Sequence, residues 1–174
     1  IEPGRHAWTR SWPALVVLFF VPLACWAMAN PLLAVPDEPA HVTKAVSLWY
    51  GQLDGHNPHP GSGLRVYRLP AQWDLKTPCF ATHPVAGPSH CPAAISTDPH
   101  VTDVSTYAGA YPPLYYALVG WPARWLANDT GLYLMRLTSA LLCAAFLAAA
   151  VRALQQVMAP GRAVAGVLAA VPPM

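Results

Sequence analysis

Charge is scarce in this chain. Asp, Glu, Lys and Arg make up 10% of it, against 55% hydrophobic residues, a balance that excludes an ordinary soluble domain. The formal net charge is only +2 and no basic cluster occurs, so nothing marks a nucleic-acid partner. No internal repeat organises the chain. A starting methionine is absent too: the sequence begins at Ile1 and ends in the apolar run "GRAVAGVLAAVPPM". That run stops before it could cross a bilayer, and both ends predict the N-terminal part of a longer protein.

Apolar stretches of membrane length are present instead. A spanning helix needs roughly 20 mostly apolar residues. Residues 13–35, "PALVVLFFVPLACWAMANPLLAV", carry no charge and predict a first transmembrane helix, with Pro22 tolerated inside it. A cleaved signal peptide is the rival reading, and "LACWAMA" imitates a cleavage site. The apolar run continues past that site to Val35, which favours the span. Residues 132–151 predict a second span, whose one charge, Arg136, lies near an end and can snorkel to the interface. A third begins near Ala163 and runs to residue 174.

Lysine and arginine set the orientation. Arg5 and Arg10 lie in segment 1–12, and Arg152 and Arg162 in segment 152–162; by the positive-inside rule both segments are cytoplasmic. The long connection 36–131 is then extracytoplasmic, in an integral plasma-membrane protein. It is far longer than two packed helices need. Its ends predict helices and its middle predicts irregular loop, rich in Gly, Pro, Ser and His, with a short strand at 64–69. Residues 39–50 predict a surface helix, with Pro39 near the start and Gly51 past the end. Val42, Ala45, Val46 and Trp49 form an apolar stripe there. Residues 112–127 put Leu114, Leu118, Trp121 and Trp125 on one face, broken near Pro122, as in a helix lying on a membrane surface.

Asp37 and Glu38 stand where the first span ends, fenced by Pro36 and Pro39. One carboxylate suffices to cap the helix that follows. At helical spacing Asp37, His41 and Lys44 share a face opposite the apolar stripe. That trio is suited to an anionic or polyol substrate at the outer mouth of a span.

The remaining polar residues divide into structural and functional readings. Cys79 and Cys91, with eleven residues between them, predict a disulfide in an oxidising compartment. Cys25 and Cys143, inside spans, predict packing residues. Five of the seven histidines fall between positions 56 and 100, but their spacings match no compact zinc site. "YPPLYY" (111–116) suits a membrane interface; alternatively Tyr111 and Tyr115 line a sugar or lipid groove.

"PDEPAH" after a first span, an amphipathic helix ending in Gly, a long loop and "YPPLYY" before a second span resemble the DUF2142 family of predicted membrane proteins. The resemblance runs from about residue 13 to 155. The layout is similar to that of GT-C glycosyltransferases. The resemblance implies a mainly α, polytopic enzyme that transfers sugar from a polyprenyl-phosphate donor to an acceptor glycan or lipid outside the bilayer. It also implies an acidic catalytic base or metal ligand, which maps onto Asp37, with Glu38 second. Transfer from a lipid phosphate needs a base for the acceptor hydroxyl and cations facing the leaving phosphate. His41, Lys44, Arg65, Arg68 and Arg124 are the candidates on the substrate side, and the residues do not choose among them. Two acids are too few to assign a divalent cation, so the cofactor stays open. The alternative is a non-catalytic membrane protein, a transporter, assembly component or sensor, whose loop binds a ligand or partner.

Overall fold

A computed structural model describes residues 11–75 and 95–170. The proposed Cys79–Cys91 disulfide lies outside them. The described residues divide into two compact units, 11–29 with 139–170, and 30–75 with 95–138. The secondary structure is mainly helical.

The first unit is apolar. Helix α1 (Trp12–Ala29) runs through Pro22 without interruption. Its 18 residues rise about 27 Å, close to the roughly 30 Å hydrocarbon core. The run to Val35 predicted a longer span. Asn30 and Pro31 end the helix first, because proline cannot donate to the ladder and excludes the helical region from the residue before it. Helix α4 (Asp129–Leu154) begins within the second unit and continues into the first from Ser139, and α5 (Pro160–Ala170) follows it. Both α1 and α4 are long and apolar enough to cross a membrane. Leu15 and Phe19 of α1 pack with Ala144, Ala148 and Val151 of α4 and Ala163 and Val167 of α5. The α4 residues are small and recur at helical spacing, so neighbouring backbones approach closely. Cys25 and Cys143 face outward rather than into this core.

The second unit is built around helix α2 (Glu38–Trp49). Gly51 adopts φ +76° after the helix. Its N–H bonds to the Leu48 carbonyl at 3.0 Å, and the Gln52 N–H to Ser47 at 2.8 Å. This is a Schellman ending, which requires a residue at ease in the left-handed region. The predicted surface helix is in fact the central one. Residues Val42 through Ser47 are all buried, because neighbouring elements cover both the apolar stripe and the face that carries Lys44.

Strands β1 (Arg65–Pro70) and β2 (Val101–Thr106) pair antiparallel, with Tyr67 opposite Val104 and Leu69 opposite Thr102. Tyr67, Leu69, Val104 and Thr106 are buried. A 3-10 turn at Tyr107–Ala110 follows β2 directly, and helix α3 (Pro113–Val119) comes after it. Instead of running on to residue 127, α3 stops at Gly120, and a second 3-10 turn spans Trp121–Arg124. The Trp49 indole donates to the Ala117 carbonyl at 2.9 Å and holds α3 against α2.

Candidate functional site

The site grows from the first turn of α2. Pro39 has no N–H to be capped, and Asp37, at the N-cap position, makes no side-chain capping bond. Its carboxylate is turned toward the 3-10 turn instead, where the Tyr107 hydroxyl donates to Oδ1 at 2.7 Å. Thr106 sets this up. Its hydroxyl donates to the Ala40 carbonyl at 2.9 Å and accepts the Ala108 N–H at 3.1 Å, tying the turn to α2 between Asp37 and His41. The bond to Asp37, with that residue's charge, pushes the Tyr107 phenol up to about 12. Tyr107 therefore stays a donor throughout the neutral range.

His41 follows Asp37 by one helical turn and is ringed by tyrosines. The Tyr116 ring stacks on it at 5.9 Å between centroids and Tyr111 lies tilted at 5.9 Å, while Tyr107 presents an edge at 6.4 Å. His41 Nδ1 and the Tyr116 hydroxyl are 2.8 Å apart. Burial pushes the Tyr116 phenol up to about 12, so it remains protonated beside the imidazole. With that phenol as donor, a neutral His41 carries its proton on Nε2. Asp37, Tyr107 and Tyr111 are exposed, His41 half-buried and Tyr116 buried. The result is an open, aromatic-walled cluster with one carboxylate and one imidazole. Such a surface accepts hydroxyl protons and stacks on a sugar face.

The other predicted site residues go elsewhere. Glu38 forms a two-point pair with Arg136: Nε to Oε1 at 2.5 Å and Nη2 to Oε2 at 2.7 Å. Arg136 is thereby paired within the protein. Lys44 is 2% exposed, and its ammonium donates to the Leu53 carbonyl at 2.8 Å and the Tyr67 hydroxyl at 3.1 Å. A residue predicted to meet substrate is instead a buried strut, because β1 and the loop before it close over that face of α2. Arg65 and Arg68, three apart on a strand, point to opposite sides of the sheet and do not converge. Arg65 donates to the Ser62 and Leu64 carbonyls. Its Cβ and Cγ fill the space where a side chain at Gly109 would stand, so only glycine lets the 3-10 turn seat on β1. Arg68 is exposed, opposite Asp103. Tyr115 is exposed and meets Tyr116 edge-on at 5.2 Å, beside the cluster rather than around His41. Arg124 lies over the Tyr50 and Trp125 rings.

Among the described residues no three His, Cys, Asp or Glu side chains come together to hold a metal. Asp37 alone does not make a metal site. Tyr107, Tyr116 and Thr106 escaped the sequence reading, as did the Arg136 pairing. The repeated tyrosines of "TYAGAYPPLYY" were the one available signal.

No curated protein and no solved structure matches the chain. A family described as predicted membrane protein matches over residues 18–174, nearly the whole length. The chain belongs to that family, DUF2142.

Proposed function

We propose that the chain forms the N-terminal part of a polytopic membrane glycosyltransferase of GT-C type. It transfers sugar from a polyprenyl-phosphate donor to an extracytoplasmic acceptor glycan or lipid. Asp37 is the base that takes the proton from the acceptor hydroxyl. The observation that carries this reading is the exposed Asp37 carboxylate, relieved of capping and aimed by Tyr107, with His41 and Tyr111 beside it. Glu38 is not the base in this reading, since both its oxygens are occupied by Arg136. His41 and Tyr111 receive the sugar. Segment 36–131 faces outward, and Leu114, Leu118, Trp121 and Trp125, all at least 40% exposed, rest in the bilayer interface.

The test incubates the full-length protein with a panel of polyprenyl-phosphate sugars and follows transfer. Transfer that is lost in Asp37→Asn supports the reading. Saturable binding without turnover, across the panel, rejects it in favour of the second reading, a ligand-binding loop on a non-catalytic membrane protein. One observation favours that alternative: Lys44, the cation nearest the acidic pair in sequence, and Arg136, the one paired with Glu38, are both committed to protein partners. Labelling of single cysteines introduced at Ser62 and Gln155 tests orientation. Outside labelling of the second with protection of the first would reverse it.

A further inference from the structure

The connection from α1 to α2, residues 30–37, carries Asp37 at its end and has an unfavourable backbone. Leu33, buried at 3% exposure, sits at φ +59°, a region that branched residues avoid. Such a conformation persists only where its surroundings over-determine it. One side chain does so here. The Arg136 guanidinium donates through Nη1 to the Asn30 carbonyl at 2.7 Å and through Nη2 to the Pro31 carbonyl at 2.8 Å. The same group grips Glu38 through Nε and Nη2. It therefore holds both ends of the connection, at residues 30–31 and at residue 38. Arg136 lies in α4, and both members of the ion pair are largely shielded, at 13% and 14% side-chain exposure. A planar fork of five donors suits this task, whereas a lysine could reach one point at a time.

We infer that Arg136 and Glu38 are positioning residues: they clamp the 30–38 segment so that the Asp37 carboxylate meets Tyr107 and faces the open cluster. This deepens the proposed function, since it states what the second acid is for. It also stands apart from that function, because the clamp acts on a hydrogen bond that can be observed without any substrate.

The experiment uses the full-length protein in lipid nanodiscs, with tyrosines labelled at the ring carbon bearing the hydroxyl. The Tyr107 resonance is assigned by its loss in Tyr107→Phe. In the unaltered protein it should titrate above the ordinary value of 10, near 12. In Arg136→Gln and Glu38→Gln it should fall back toward the ordinary value of 10, as in Asp37→Asn, while the Tyr116 titration stays high. Arg136→Lys should restore it in part, and the exchanged pair Glu38→Arg with Arg136→Glu more than either half of the exchange alone. If Arg136→Gln fails to fold, Glu38→Gln and Arg136→Lys carry the same comparison. In the transfer assay, kcat should drop with little change in KM. A Tyr107 resonance that titrates unchanged in folded Glu38→Gln and Arg136→Lys overturns the clamp whether or not transfer is ever seen. Loss of the high titration in a protein that shows no transfer upholds the clamp and rejects only the transferase.

Discussion

The two units solve burial in opposite ways. Residues 11–29 and 139–170 bury alanine, valine, leucine and phenylalanine, and turn Val17, Leu18, Val21, Trp26 and Phe146 outward. Residues 30–138 bury Thr43, Lys44, Ser47 and Thr106 beside their apolar core. Printed on the outside, the first pattern suits hydrocarbon, where no exposed polar group could be satisfied. The second suits a domain bathed in water, where buried polar side chains find partners, Lys44 in Leu53 and Tyr67, Ser47 in the Lys44 carbonyl and Thr106 in the Ala40 carbonyl, while the buried Trp73 indole N–H has none. The lesson is that polarity inside the second unit builds geometry first. Glu38, Lys44, Arg65 and Arg136 hold the scaffold there, and the proposed function rests on Asp37.

That contrast is broken most severely at Asp37. Asp37→Asn should lower transfer by about 10²–10⁴-fold, the range for loss of a general base, with the protein still folded. Asparagine keeps a polar acceptor for Tyr107 but not the charge. Near-normal transfer in Asp37→Asn would reduce the residue to scaffolding like its neighbours.

Lys44 sharpens the contrast from the other side. Lys44→Ala should destabilise the second unit by roughly 2–5 kcal/mol, the range for deleting a long buried side chain. Lys44→Met keeps the volume and should cost about 1–3 kcal/mol for the unpartnered Leu53 carbonyl and Tyr67 hydroxyl. Denaturant unfolding followed by tryptophan fluorescence measures both. Transfer by Lys44→Met should survive; its abolition in folded protein would return Lys44 to the substrate.

In the first unit the same logic predicts sensitivity to size rather than to polarity. Ala148 is fully buried on α4. Ala148→Leu should cost about 1–3 kcal/mol through overpacking, read as a lower melting temperature in nanodiscs. Ala148→Ser, nearly the same size and able to bond to its own helix, should cost less.

The smallest effect concerns alkaline stability. The Tyr107 phenol is held at about 12 in the folded protein, chiefly by its bond to Asp37, against 10 ordinarily. A raised pKa means the bond's contribution is whole below pH 10 and is lost as pH rises through 12. Tyr107→Phe should lower stability modestly at neutral pH, where the bond between these exposed groups is intact, and flatten the loss between pH 10 and 12. An identical alkaline profile in both proteins would detach Tyr107 from Asp37.

Sequence alone determined whatever rests on local pattern. Apolar length marked α1 and α4, Pro39 and Gly51 bracketed α2 to within a residue, and the short strand read at 64–69 falls on β1. Leu114, Leu118, Trp121 and Trp125 are exposed, but they lie on α3 and on the 3-10 turn after it, with Trp125 at its end, rather than on one helix face. Strand β2, "VTDVST", was invisible because half of its buried face is a threonine, whose hydroxyl proton finds its acceptor, the Ala40 carbonyl, across the fold. Tertiary structure decided the division of labour between the acids. Adjacent in sequence, they are claimed by partners about 70 and 98 residues away, Tyr107 for Asp37 and Arg136 for Glu38. It also decided that Lys44 is a strut. Helical spacing puts Asp37, His41 and Lys44 on one face, but only the neighbours packed along that face determine which end opens to solvent and which is sealed. No periodicity in α2 encodes where β1 will lie.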